Sequence, residues 1–182
     1  MLKVSENPPI VFPEFCSLED MESRWWVAHT KSRNEKALAW DLAKWNIPYF
    51  LPLVEKAHKR NGRTFRSLLP LFGGYVFFNG DEDSRYKALT TNRIAHVIHV
   101  ADQAGLLRDL SQIHRTLQSG IPLDPHPHLK QGDRCRVVAG PLCGVEGIFL
   151  SRKKQTKLVL QINILGQAAA VEMDAALLEP IG

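Results

Sequence analysis

The chain has 182 residues, of which 45% are hydrophobic and 23% charged, and its formal net charge is +4 at pH 7. These values are ordinary for a globular protein and leave room for one domain or two small ones. They exclude a bundle of membrane-spanning helices, because no apolar run approaches the ~20 residues needed to cross a bilayer. The three cysteines include no C-x-x-C pair, so neither a disulfide framework nor a zinc knuckle is expected.

The first 23 residues differ in composition from the rest. They contain three prolines and five acidic residues against one lysine, which predicts a flexible N-terminal tail over residues 1–23. This composition is unlike a secretory signal peptide, so a cytoplasmic location is expected. From Arg24 to Arg66 the balance reverses, with ten Lys or Arg against three Asp or Glu. Such a basic surface favours a polyanionic partner such as nucleic acid, although it is equally typical of an ordinary solvated face.

A strand and a helix are predicted next. The segment "RWWVAHT", residues 24–30, is rich in residues that favour strands. In "SRNEKALAWDLAKWN", Leu38, Leu42 and Trp45 recur at helical spacing, which predicts an amphipathic helix. Asn34 is the expected N-cap of this helix.

Asn61-Gly62 predicts a β-hairpin, because both residues tolerate the positive φ of a two-residue turn. The turn would pair "VEKAHKR" with "RTFRSLL", and its arms carry Lys56, Lys59, Arg60, Arg63 and Arg66. Four elements are predicted after it: a strand over "YVFFN", a short helix over "DEDSRYKALTTN", a strand over "RIAHVIHV" and a helix over "AGLLRDLSQIHRTLQ".

The sequence changes character after residue 118. "SGIPLDPHPHLKQ" has three prolines within six residues, which predicts an extended, semi-rigid linker over residues 119–129. Over residues 130–182, short β patterns alternate with glycine turns, which is typical of a small β-barrel. The elements of residues 24–118 predict an α+β domain with one mostly antiparallel sheet and helices on one face.

No catalytic or metal-binding arrangement is predicted. His96 and His99 are three residues apart on a predicted strand, so they point to opposite faces. His126 and His128 have no third ligand nearby, and the phosphate-binding and nucleophile motifs are absent. The chain is therefore interpreted as a binding protein without cofactor or metal, and not as an enzyme.

Three segments together resemble the NusG family: "RWWVAHTKSRNEKALAWDLAKWNI", "LPLFGGYVFF" and, after the proline-rich linker, "GDRCRVVAGPLCGVEGIF". The resemblance covers nearly the whole chain apart from the N-terminal tail. It implies an NGN domain over residues 24–118 and a KOW domain, an SH3-like β-barrel, over residues 130–182. The "PLF-x-x-Y" pattern and the short basic hairpin resemble specialised paralogues of the RfaH type.

The side chains of "YVFF", residues 75–78, point alternately to the two faces of the predicted sheet. Alternation places Tyr75 and Phe77 on one face and Val76 and Phe78 on the other, so helices on a single side leave one row exposed. In the NusG family this row docks on the clamp helices of RNA polymerase. The resemblance therefore implies a polymerase-binding set of Phe72, Tyr75, Phe77, His29 and Ile98, with Arg85 touching the opposite side of the polymerase cleft. The diglycine Gly73-Gly74 departs from the family, which usually has proline here, and it loosens the backbone that presents Phe72.

The resemblance also implies a nucleic-acid contact. Lys31, Arg33, Asn34 and Arg93 occupy positions that face upstream or non-template DNA in the family, and their charges suit phosphates. Each is also compatible with an ordinary surface residue.

The function implied is that of a transcription elongation and antitermination factor that suppresses pausing or termination. Its KOW domain would recruit a partner such as ribosomal protein S10 or Rho. The alternative is a KOW-type RNA-binding protein associated with ribosomes or translation, which would be indifferent to polymerase.

Overall fold

The computed structural model of the chain describes residues 6–14, 17–60, 63–127, 132–152 and 155–181. Those residues contain three α-helices and several antiparallel sheets, which confirms the predicted α+β class. The chain divides into two compact units, residues 1–103 and 104–182. Among the described residues, no helix is long and apolar enough to cross a membrane.

The described residues of the first unit contain seven strands and two α-helices: β1 (Val11–Phe12), β2 (Trp25–Thr30), α1 (Glu35–Lys44), β3 (Tyr49–Phe50), β4 (Leu53–Arg60), β5 (Arg63–Pro70), β6 (Tyr75–Asn79), α2 (Glu82–Thr90) and β7 (Ile94–Ile98). Five strands form an antiparallel sheet in the order β1-β3-β6-β2-β7. Strands β4 and β5 pair with each other as the predicted hairpin. The turn residues themselves, 61–62, lie outside the described residues.

Helices α1 and α2 cover one face of this sheet. Its core contains Trp26, Ala28, Leu38, Ala39, Leu42, Ile47, Tyr49, Val76, Phe78 and Ala88. Trp45, expected on the apolar stripe of α1, is instead 42% exposed. The reason is that Asn46 adopts a left-handed conformation, with φ of 58°, just after the helix, so that Ile47 enters the core in place of the indole.

The N-terminal segment is ordered sheet in part, so the prediction of a flexible tail is wrong for its described residues. Val11 and Phe12 pair with β3, and Phe12 stacks on Tyr49 with ring centroids 5.9 Å apart. Leu18 is also buried. Each such side chain contributes about 1.5–3 kcal/mol when buried, which outweighs the polar composition around it.

The second unit is a six-stranded antiparallel sheet preceded by a helix: α3 (Gln103–Gln118), β8 (Asp124–Pro127), β9 (Arg134–Val137), β10 (Glu146–Arg152), β11 (Gln155–Ile162), β12 (Gln167–Glu172) and β13 (Leu178–Pro180). The strand order is β13-β9-β10-β11-β12-β8. Gly147 allows β10 to approach β11, because a Cβ there would lie 2.6 Å from the Val159 carbonyl oxygen. The short strands are confirmed, whereas closure into a barrel and the KOW assignment stay predictions.

The segment predicted as a linker, residues 119–129, contains strand β8. Its backbone is extended, but residues 124–127 pair with β12 at the edge of the second sheet and are therefore not a free spacer. Prolines are tolerated there because an edge strand needs only some of its N–H groups for pairing.

Helix α3 was predicted within residues 24–118, yet most of it lies in the second unit. The Gln112 side chain accepts a hydrogen bond from the Glu146 backbone N–H, and Arg115 donates to the Cys143 carbonyl at 2.7 Å. The division between the units therefore falls before α3 and not after it. Domain boundaries in the functional sense stay a prediction.

Candidate functional site

Two rows of side chains on the face of the first sheet opposite α1 and α2 contain predicted site residues. The strand register places Phe50, Phe77, Val27 and Ile98 in one line across β3, β6, β2 and β7, which we call the inner row. The next line is Tyr75, His29 and His96 across β6, β2 and β7, the outer row. The predicted alternation of Tyr75 and Phe77 onto one face is confirmed.

The inner row is part of the core. Phe77 is 0% exposed and Phe72 is 1% exposed. The Phe77 ring lies 6.2 Å from Phe50 and 6.5 Å, edge-on, from Phe72. Phe72 and Phe77 therefore offer no surface to a partner, although the row that contains Phe77 was expected to be exposed; their place in the polymerase-binding set stays a prediction.

The outer row remains accessible. Tyr75 and His29 are half-buried and His96 is exposed. The His29 ring centroid lies 5.0 Å from that of Tyr75 and 4.8 Å from that of His96. Ile98, at the end of the inner row, is also half-buried. Of the predicted polymerase-binding set, Tyr75, His29 and Ile98 thus offer surface to a partner.

The diglycine beside the outer row is held in place. Gly74 has φ of 84°, a conformation that glycine adopts without strain. Its N–H donates to the Glu35 carboxylate at 2.7 Å, and its carbonyl accepts from the Thr30 N–H at 2.8 Å. The looseness expected of the diglycine is offset by these contacts to α1 and β2.

The predicted nucleic-acid residues come together where β2 meets α1. The Arg93 guanidinium donates to the Asp41 carboxylate and, at 3.2 Å, to the Asn34 side-chain oxygen. The Lys31 N–H donates to the Arg93 carbonyl at 2.7 Å, which ties the start of β7 to the end of β2. We call Lys31, Arg33, Asn34 and Arg93 the basic cluster.

The charges of the basic cluster are unequally balanced. Asp41 forms an ion pair with Arg93, whose positive charge is thereby partly neutralised. The Lys31 ammonium donates to Asn92, a neutral partner, at 2.6 Å. Arg33 is exposed and has φ of 59°, which costs a non-glycine residue about 1 kcal/mol or more. The same left-handed conformation occurs at Asn46 and Asn92, so it does not by itself mark Arg33 as a binding residue.

Arg85 lies apart from the outer row. It pairs with Glu82 at 2.6 Å in the first turn of α2, and its guanidinium carbon lies 5.5 Å from the Trp26 ring centroid. Trp26 belongs to the face that α1 and α2 cover. Arg85 therefore lies on the opposite side of the sheet from the outer row.

Cavities of two kinds are found among the described residues of the second unit. A polar cleft of about 360 Å³ lies between α3 and strands β9 to β11, lined by Arg108, Asp109, Gln112, Arg134, Glu146 and Asn163 among others. A more apolar cavity of about 390 Å³ is lined by Cys135, Phe149, Leu178 and Ile181 among others. Within the described residues, no group of three or more potential ligands is placed to bind a metal ion.

A family model described as transcription termination factor NusG matches residues 23–119, more than half of the chain. The chain belongs to the NusG family. A solved structure described as domain interaction in Thermotoga maritima NusG is 17% identical, covers 89% of this chain and 99% of its own, and has a TM-score of 0.49. For the MjSpt4:Spt5 complex in conformation B these values are 13%, 87%, 97% and 0.25. With TM-scores below 0.5, neither likeness supports a further conclusion, and no curated protein matches the chain.

The NusG match includes both rows and the basic cluster, and it identifies the chain as a transcription factor of that family. The match ends at residue 119, so it does not reach the predicted KOW domain. Sequence reasoning missed Glu35, Asp41 and His96 as members of these surfaces. Glu35 binds Gly74, 39 residues away, and Asp41 binds Arg93, 52 residues away. A local sequence pattern does not predict contacts over such separations.

Proposed function

We propose that the chain is a transcription elongation and antitermination factor that binds the clamp helices of RNA polymerase through the outer row. The observation that carries this proposal is the accessible line of Tyr75, His29 and His96 within the part of the chain that matches NusG. A line of partly exposed rings in mutual contact on a sheet face is consistent with a protein-binding surface.

Within this surface the residues have different roles. Tyr75, His29 and Ile98 make the direct contacts, and Tyr75 is the expected anchor because aromatic side chains at an interface centre often contribute about 2 kcal/mol or more. Phe72 and Phe77 support these residues from below, since both are buried. Arg85 serves a second polymerase contact on the opposite side of the domain.

The basic cluster binds upstream or non-template DNA in this proposal. Lys31 and Arg33 contact the phosphates, because neither forms an ion pair with a carboxylate among the contacts of the described residues. Arg93 and Asn34 form the rigid frame beneath them. The bound factor favours the unpaused state of polymerase by joining the clamp to the DNA.

The residues after 129 act as a KOW domain that recruits a partner such as ribosomal protein S10 or Rho. The rival function, a ribosome-associated RNA-binding protein, places the activity in this module and gives the outer row no role.

A binding assay with purified core RNA polymerase tests the proposal. Tyr75→Ala is expected to weaken binding at least tenfold, because about 2 kcal/mol corresponds to a factor of about 30. Phe65→Ala is the matched control, since Phe65 is 41% exposed on β5 and lies outside the outer row. Equal binding by the folded Tyr75→Ala variant, or co-sedimentation of the wild type with ribosomes but not with polymerase, would overturn the proposal.

A further inference from the structure

The outer row brings together two histidines from different strands. His29 of β2 and His96 of β7 lie opposite each other in the strand register. Their ring centroids are 4.8 Å apart, and the ring planes differ by 40°. His96 is exposed and His29 is half-buried, so a small solute can approach the pair from solvent. Neutral imidazole is the commonest side-chain ligand of transition metals, which makes this pair a candidate metal site.

The separation of the two rings matches that of two ligands on one ion. A metal–nitrogen bond of about 2.0–2.1 Å places the ion about 3.2 Å from the centre of each imidazole ring. If the two bonds meet at about 90–110°, as in square-planar and tetrahedral sites, the ring centroids lie about 4.5–5.2 Å apart. The observed 4.8 Å lies within this range, so binding requires rotation of the rings but no separation of the strands.

One ring nitrogen of His29 lacks a partner and is directed towards β7. His29 Nδ1 is buried and has no hydrogen-bond partner among the described residues. The opposite edge of the ring faces Gly74, just before β6, because a Cβ there would lie 3.5 Å from Nε2 and 3.7 Å from Cδ2. Strand β2 lies between β6 and β7, so Nδ1 points away from β6 and to the side that carries His96. A buried nitrogen without a partner is costly, and coordination of an ion removes that cost.

The kind of ion follows from the ligands. Imidazole nitrogens suit copper(II), nickel(II) and zinc(II), whereas magnesium(II) and calcium(II) require oxygen ligands. Two nitrogens leave the other coordination positions to water, because the described residues place no third His, Cys, Asp or Glu ligand beside the pair. Arg93, just before β7, does not repel a cation here, because its guanidinium binds Asp41 of α1 on the other side of the sheet.

We propose that His29 and His96 together bind one divalent transition-metal ion, copper(II) more tightly than nickel(II) or zinc(II). Both ligands belong to neighbouring strands of one sheet, so the site is complete in the folded chain. The proposal therefore does not depend on the proposed function. Because the two side chains are held together only in the folded state, the ion also stabilises that state.

Calorimetric titration of the full chain with copper(II), and with zinc(II) in a second series, tests the site. Electron paramagnetic resonance of the copper(II) complex should show coupling to two imidazole nitrogens. His96→Ala should lower the copper(II) affinity at least tenfold, because loss of a group that only orients a metal ligand already costs about 10- to 100-fold. Saturating zinc(II) should raise the melting temperature of the wild type but not that of His96→Ala. His96→Cys should restore zinc(II) binding, since a thiolate replaces the lost nitrogen.

His99→Ala is the matched control, because His99 is exposed just after β7 but its Nε2 contacts the Arg24 guanidinium. This variant, and one in which His126 and His128 are both replaced by Ala, should keep the wild-type two-nitrogen signal. His96 is exposed, so its replacement should leave the fold intact, which circular dichroism checks. Wild-type copper(II) affinity in folded His96→Ala, or loss of the two-nitrogen signal from the His126 and His128 variant, would overturn the proposal.

Discussion

Replacement of Phe77 by alanine decides whether this ring belongs to the core or to a docking surface. The side chain has no exposed surface and meets Phe50 and Phe72 at 6.2 and 6.5 Å. Truncating a buried Phe typically costs about 3–5 kcal/mol, a range that includes the loss of aromatic pairs. We therefore expect Phe77→Ala to lower the free energy of unfolding of the first unit by about 4 kcal/mol. This is a large part of the roughly 5–15 kcal/mol that stabilises a domain.

Urea denaturation followed by tryptophan fluorescence measures this loss, because the buried Trp25 and Trp26 report on the first unit. Tyr75→Ala is the comparison: its half-buried ring should cost less than half as much. The two variants therefore separate stability from docking. A loss below about 1 kcal/mol for Phe77→Ala, at unchanged denaturant dependence, would refute the packing described here and restore the interpretation of Phe77 as an exposed anchor.

Two further predictions concern single positions. Gly74→Ala should lower the free energy of unfolding by about 1 kcal/mol, because φ of 84° is unfavourable for alanine. Gly73→Ala is the control in the same thermal melts, because a Cβ at Gly73 would meet open space. Equal losses of stability in the two variants would contradict this explanation. Burial raises the pKa of the Cys135 thiol, which disfavours the reactive thiolate form. Iodoacetamide should modify the exposed Cys143 at least tenfold faster, and peptide mapping that finds equal rates would count against the burial of Cys135.

Local patterns were sufficient to predict most elements of the first unit. The Asn61-Gly62 dipeptide predicted the pairing of β4 with β5, and the period of apolar residues predicted α1, since both signals lie within a few residues. The same patterns failed for β1 and β8. Each of these short strands depends on a partner about 40 residues away, β3 and β12 respectively, so its own composition says little about its structure.

The candidate surfaces show the same limit. Alternation placed Tyr75 and Phe77 correctly on one face, but it does not tell which of the two rings is covered, because burial depends on groups outside the strand. His96 was paired in sequence with His99, whereas the sheet register places it against His29. A side chain's face follows from its own strand, while its neighbours on that face follow from the order of strands.

Helix α3 shows that a family boundary and a structural boundary need not agree. The NusG match ends at residue 119 and so includes α3, but the side chains of Asp109, Gln112 and Arg115 bind backbone groups of the second unit. These residues follow one another at intervals of three, so they form a polar stripe along one side of the helix. Gln112 and Arg115 bind main-chain groups of the second unit, and Asp109 accepts from both the main-chain N–H and the side-chain amide of Asn163. These contacts join residues 28 to 54 positions apart in the chain, so a boundary defined by residue patterns along the sequence need not coincide with the one that they define.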